Sequence, residues 1–252
     1  MEGIEQRAVA VVTGGAGGLG SSICRKLADA GMCVVVGYHR SAEAAHQLAT
    51  SLAGQGHSAR PAPVTQSAQM TTLAAEIGND YGRCDVLVNC AGVTRFVRHA
   101  DLEALDDELI DNILATNVRG AFASVRAFRH MLEGSPLPGG GVVVNLSSAA
   151  GTLAMGSNVI YCASKAALDN MTKSLARALA PGIRVISVSP ALVDTEFVKS
   201  MEPAWHHEQA ARTPLGRLAT PEEVANAVVA AITTLTFVTG SILLVDGGRC
   251  LA

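Results

Sequence analysis

The chain has 252 residues, 49% of them hydrophobic and 16% charged, with a formal net charge of -3. That length admits one large α/β domain or two small ones, and a composition so apolar excludes a disordered chain. The slight negative balance, with no long basic run, argues against a surface built for nucleic acid.

The opening segment, MEGIEQRAVAVV, has neither the basic stretch nor the apolar run of a signal peptide. No apolar run approaches the roughly 18 to 20 residues of a membrane span, so no membrane partner is expected. The six cysteines, Cys24, Cys33, Cys84, Cys90, Cys162 and Cys250, form no CxxC pair and stand at no metal-ligand spacing from a histidine. They read as reduced, buried thiols of a cytoplasmic protein that carries no metal.

In chain order, Ala8–Val12 reads as a buried strand. It is followed by Thr13-Gly14-Gly15-Ala16-Gly17-Gly18-Leu19-Gly20 and a helical pattern over Leu19–Ala30. Glycines here let backbone N–H groups approach a ligand and let the helix pack close to the strand. The helix N-terminus then offers unpaired N–H groups to an anion. Between a first strand and a first helix, such a turn points to the pyrophosphate of a dinucleotide. The second strand, Cys33–Gly37, runs out into Tyr38-His39-Arg40-Ser41. An NAD site usually places an acid here for the ribose hydroxyls, whereas this chain has none before Glu43. Arg40 and His39, with the Ser41 hydroxyl, suit a 2′-phosphate, which favours NADPH, with NAD as the alternative.

The helix Ala42–Ala53, the strand Ala59–Val64, the helix Ala68–Tyr81 and the strand Val86–Asn89 continue the alternation. One long helix is expected over Leu105–Glu133, then a strand, Val142–Leu146, with Ser147-Ser148 at its carboxyl end. That edge is where open α/β sheets bind ligands. The next helix, Val159–Ala180, carries Tyr161 and Lys165 at i and i+4, on one face. A free phenol ionises near pH 10, and a neighbouring cation favours phenolate. The pair is therefore a candidate proton donor and acceptor, and the Ser148 hydroxyl could hold a substrate carbonyl oxygen. After the strand Arg184–Val188, the polar stretch 194–212, with Trp205, His206 and His207, reads as a mobile helical flap over the site. A helix, Pro221–Thr233, and a strand, Ile242–Val245, close the chain. The whole predicts a Rossmann-type, doubly wound sheet of seven parallel strands with helices on both faces, residues 1–252 forming a single domain.

Together these residues resemble the short-chain dehydrogenase/reductase family, over nearly the whole chain. Thr13-Gly14 with Gly18 and Gly20 is similar to its TGxxxGxG turn, and Asn89-Cys90-Ala91-Gly92 to its NNAG segment, with Cys90 in place of the second Asn. Asn117, Ser148, Tyr161 and Lys165 match its catalytic tetrad. Pro214-Leu215-Gly216-Arg217, Pro221-Glu222-Glu223-Val224-Ala225 and the ending Thr239-Gly240…Val245-Asp246-Gly247-Gly248 match further landmarks. The turn also fits TGxxGxxG through Gly17 and Gly20, a form found in a longer branch, but the short chain and the Gly248 ending favour the shorter one.

The resemblance implies an NADP(H)- or NAD-dependent oxidoreductase that moves a hydride to or from a small carbonyl or alcohol substrate. In it Lys165 would contact the nicotinamide ribose, and Asn117 would hold a water linking Lys165 to solvent. Cofactor contacts would come from Thr13, Gly14, Gly18, Leu19, Gly20, Tyr38, His39, Arg40, Ser41, Val64, Asn89, Ala91, Gly92, Tyr161, Lys165, Pro190, Val193 and Thr195. A homotetramer is the family's usual assembly. The stretch His39-Arg40-Ser41 also resembles the phosphate-binding turn of pteridine reductases, which use NADPH. Two departures stand out: Pro63-Val64 where the family usually has Asp-Val, and Ala191 where a glycine usually follows Pro190. A 3-oxoacyl-[acyl-carrier-protein] reductase, a non-catalytic nucleotide-binding regulator and an epimerase or dehydratase with transiently used NAD are the alternatives. The first lacks a cation at Glu133-Gly134-Ser135, where an acidic carrier would dock.

Overall fold

The computed structural model describes residues 7–199 and 202–251. Seven strands, β1 (Val9–Thr13), β2 (Cys33–Tyr38), β3 (Ser58–Pro61), β4 (Val86–Asn89), β5 (Gly141–Leu146), β6 (Ile183–Pro190) and β7 (Ile242–Val245), form one sheet in the order β3-β2-β1-β4-β5-β6-β7. Every pairing is parallel. This is the seven-stranded, doubly wound sheet that the valine runs predict. A strand covered on both faces has no solvated side, so its residues are apolar at consecutive positions.

The two faces can be read from alternate residues. Ala10, Val12, Val34, Val36, Val86 and Val88 pack against α1 (Gly18–Asp29), α2 (Ala42–Ser51) and α10 (Pro221–Thr233), through Ile23, Leu27, Leu48, Val224 and Val228. Val9, Val11, Val35, Leu87, Val143 and Val185 turn the other way. They meet α3 (Ser67–Tyr81), α5 (Ala121–Glu133) and α7 (Val159–Leu179), through Met70, Ile77, Phe128, Leu132 and Ala176. The order reverses between β1 and β4, which opens a crevice at the carboxyl ends of those strands.

The third strand stops at Pro61, short of the expected Val64, because neither Pro61 nor Pro63 has an N–H for the ladder. The expected long helix is two helices, α4 (Asp107–Leu114) and α5, joined by a π-helical turn over Ala115–Gly120 that contains Asn117. Ala150–Leu153 forms a short helix, α6, after Ser148. Within the expected flap, α8 (Glu196–Lys199) and α9 (Pro203–Ala211) are helical, and Nε2 of His206 lies 3.3 Å from Oδ1 of Asp194.

The landmark around Pro221 has a structural cause. Thr220 and Glu223 form a capping box on α10, and Arg217 clamps Glu223 at 2.6 and 2.9 Å. That hydrogen-bonded pairing holds the Glu223 carboxyl down at about 2. No described helix is long and apolar enough to cross a membrane.

Candidate active site

A cleft of about 680 Å³ lies at the carboxyl edge of the sheet, over the reversal between β1 and β4. Its floor is the Gly-rich turn. Gly14 has φ 66°, and a Cβ on it would stand 2.9 Å from the Cα of Ala91. Gly15 donates its N–H to the Gly37 carbonyl at 2.8 Å, which pins the turn to β2. Gly17 is the N-cap of α1 and supplies no side-chain cap, so the first N–H groups of the helix stay available to an anion. A Cβ at Gly14 or Gly20 would meet backbone, and the bare backbone that these glycines leave is what a pyrophosphate requires. Gly14, Gly18, Leu19 and Gly20 all line the cleft.

Tyr38, His39, Arg40 and Ser41 line the same cleft at the end of β2. Arg40 is exposed and makes no ion pair with any described residue. Ser41 is the N-cap of α2, yet its hydroxyl caps nothing, which leaves it and the helix N-terminus facing the cleft. Pro63 and Val64 form the neighbouring wall, with Val64 buried against Gly120.

At the other end of the cleft stand Ser148, Tyr161 and Lys165. Asn158 caps α7 by accepting the Tyr161 N–H at 2.6 Å, and its amide donates to Thr94 and to the Arg95 carbonyl. The Tyr161 position is thereby fixed against the loop after β4. Ser148 hydrogen-bonds the phenol, which lowers its pKa, but burial outweighs this and the phenol lies above its ordinary value. The depression expected from the adjacent ammonium is therefore not found among the chain's own groups. The reason is geometric: Nζ of Lys165 is 5.6 Å from the Tyr161 ring centre and donates at 2.7 Å to the Leu146 carbonyl. Burial in turn pulls the lysine down to about 8.

The remaining expected residues divide into two groups. Ala91, Gly92, Pro190 and Val193 line the cleft. Thr195 lies at its margin, its methyl 3.8 Å from where a Gly18 Cβ would sit. Thr13, Asn89 and Asn117 lie beneath the surface. The Thr13 hydroxyl accepts the Ala91 N–H at 3.2 Å and so holds the loop over the turn. Asn89 is buried, its amide nitrogen donating to Oδ1 of Asn145 at 2.9 Å and its amide oxygen without a partner among the described residues. Asn117 binds Val93 twice, accepting its N–H at 2.8 Å and donating to its carbonyl at 3.1 Å, and donates to Ser164 at 3.1 Å. Sequence reading did not single out Asn158, Thr94, Asn112 or Thr116 for the site. Asn158 had a detectable signal, a capping residue directly before a helical pattern.

Among the described residues no cluster of three or more His, Cys, Asp or Glu side chains could hold a metal. Cys90 lines the cleft with its thiol pushed up to about 11 by burial.

A model of the family described as Enoyl-(Acyl carrier protein) reductase matches residues 14–249. The cis-4-hydroxycyclohexanecarboxylate dehydrogenase of Sinomonas cyclohexanicum is 38% identical over 245 residues, which cover 95% of each chain. The D-threitol dehydrogenase of Mycolicibacterium smegmatis is 35% identical, over 95% of this chain and 92% of its own. Among solved structures, a short-chain dehydrogenase/reductase (glucose/ribitol dehydrogenase) from Brucella melitensis superposes with a TM-score of 0.87 at 26% identity, over 97% of this chain and 98% of that one.

Proposed function

The chain belongs to the short-chain dehydrogenase/reductase family, and on that footing we propose that it reduces a carbonyl with NADPH, Tyr161 delivering the proton. The broad activity follows from the relatives: the chain is an oxidoreductase that transfers hydride between a nicotinamide cofactor and a carbonyl or alcohol. The observation that carries the residue roles is the convergence of Ser148, Tyr161 and Lys165 on a cleft that also holds a glycine-rich helix N-terminus.

The bound nicotinamide supplies the hydride. The chain positions the substrate and handles charge and proton. The Ser148 hydroxyl and the Tyr161 phenol donate hydrogen bonds to the carbonyl oxygen, where negative charge develops. Tyr161 then passes its proton to that oxygen. Burial, by raising the phenol, keeps it proton-loaded at neutral pH, the state from which reduction starts. Lys165 steadies the phenolate left behind and offers its ammonium to the nicotinamide ribose. The Asn117 side chain is committed to Val93 and Ser164, so its backbone carbonyl, in the π-helical turn, is the group that would hold a relay water.

A pH profile tests the Lys165 role. With the lysine at about 8, it is charged below that pH and neutral above it. The phenol remains protonated through the same window. Reductive kcat/KM for NADPH should be flat below about pH 8 and fall above it, the limb reporting the free enzyme. A profile flat to pH 10 would remove the ammonium from the mechanism.

NADPH is favoured over NADH by Arg40, the uncommitted Ser41 hydroxyl and the start of α2 around them, with no acid to repel a phosphate. Hydrogen bonds to charged groups are worth about 1.5–3 kcal/mol, or roughly 10- to 100-fold. Arg40→Ala should lower kcat/KM for NADPH by that factor with a ketone panel and leave NADH nearly unchanged. Equal losses with both cofactors would refute the assignment.

A reducing compartment, the cytoplasm, suits six cysteines of which none is disulfide-bonded. Exposed Leu114 and Phe122 on α4 and α5, with Phe237 and Leu244 near β7, suit a homotetramer. The segment 194–212, with α8 and α9, is read as the flap that covers the substrate, residues 1–252 then acting as one catalytic domain.

A further inference from the structure

Behind the catalytic lysine the structure buries a second charge that the roles above leave unused. Asp169 lies one helical turn after Lys165 and two after Tyr161, on the inward face of α7, and is only 6% exposed. Its Oδ1 has no hydrogen-bond partner among the described residues. A buried carboxylate with an unpaired oxygen is costly and calls for an explanation.

The surroundings supply one. Burial pushes the Asp169 carboxyl above its ordinary value, and the Ser147 hydroxyl just after β5 and the Ser187 hydroxyl on β6 oppose that rise by favouring the ionised form. Ser147 is the neighbour of Ser148, and its single proton lies within reach of the Lys165 carbonyl, at 3.3 Å, as well as of the carboxylate. Ser187 is 3.0 Å from Thr172, which accepts from Asn145 at 2.8 Å, and Asn145 accepts from Asn89. This buried polar chain runs beneath the cleft from β4 to α7. Ser189, two residues beyond Ser187 on β6, also has a buried hydroxyl with no partner among the described residues. The charged and titratable groups acting on Lys165 are Cys90, from the loop after β4, and Asp169, on its own helix; Lys173 and Lys165 act on Asp169.

We propose that Asp169 is a positioning residue for Lys165, its carboxylate serving as the buried counter-ion that keeps the ammonium charged and seated at the end of β5. Enclosed where α7 packs on β5 and β6, it acts through the lysine and touches neither substrate nor cofactor. Burial drives Lys165 toward the neutral amine, and the negative charge one turn away opposes that loss. The inference rests on the reading of Lys165 as the charged partner of Tyr161, but its test does not depend on turnover.

The experiment is competitive acetylation of the full chain with acetic anhydride between pH 6 and 11, read at Lys165 by mass spectrometry. In the parent protein the reactivity midpoint is expected near 8. Asp169→Asn, shown folded by circular dichroism, should move it down by about one pH unit, and the alkaline limb of kcat/KM should follow. If D169N does not fold, S187A removes one hydroxyl that favours the carboxylate and should move the midpoint the same way, by less. An unchanged midpoint in a folded variant overturns the proposal. A midpoint that moves in a chain that reduces no ketone keeps the counter-ion and defeats the reductase reading instead.

Discussion

Tyr161→Phe is expected to lower kcat for ketone reduction by about a thousandfold or more while NADPH affinity stays within about threefold. The variant removes one oxygen. With it go the proton that the product alcohol needs and one of two hydrogen bonds to the developing alkoxide, terms worth roughly 10²- to 10⁴-fold and 10²- to 10³-fold. They are not additive, because both act on the same oxygen in the same step. Little else changes. The ring remains packed, Asn158 still caps the helix through the backbone N–H of residue 161, and Lys165 still donates to the Leu146 carbonyl. Fluorescence titration with NADPH alongside steady-state turnover separates the two effects. Near-normal kcat in the phenylalanine variant would mean that another group, such as Ser148, delivers the proton.

Gly20→Ala is the second large effect, and two opposing terms decide its sign. Gly20 is the third residue of α1, where alanine would ordinarily add about 1 kcal/mol of helix stability. A Cβ there would run into the Gly14 carbonyl oxygen and stand 2.8 Å from the Cα of Gly15. Both obstacles are backbone, so no rotamer relieves them. Overpacking of this kind costs about 1–3 kcal/mol, more than the propensity gain. The turn and the helix must move apart by about an ångström, and displacements of that size cost roughly a hundredfold in function. The expected result is a Kd for NADPH raised about a hundredfold, with a melting temperature unchanged or lower. A variant that binds NADPH normally would show that the turn does not cradle the cofactor.

The fold was legible because two-sided burial writes itself into sequence as consecutive valines. β1, β2, β4 and β5 lie within a residue or so of where those runs place them. The lining of the cleft was legible where residue type at short spacing marks it, as in the Gly-rich turn and the pair of Tyr161 and Lys165. The direction in which a side chain turns was not legible. The Asn89 amide donates to Asn145 and the Asn117 amide binds Val93. Nothing local in the sequence separates an amide aimed at a cleft from one aimed at a neighbouring strand. The phenol's pKa failed as an expectation for a related reason. Adjacency on a helix fixes the separation of two residues but not the carbonyl that one of them reaches, nor the depth at which both lie. Asp169 escaped notice because an acid in a long helix ordinarily faces water.

The wide turn at Ala115–Gly120 has a consequence for the rod that contains it. A π-helical turn holds one residue more than an α-helical turn, so the two halves of the rod are out of phase by about a hundred degrees. α4 packs against α7, whereas α5 packs against α3 and β4. An unbroken helix would present one continuous stripe and satisfy only one of these sets of neighbours. Deleting a single residue between 115 and 120 would therefore do more than shorten a loop. It would rotate α4 away from α7 and draw the amide of residue 117 out of its grip on the strand-end loop, leaving the sheet behind it intact.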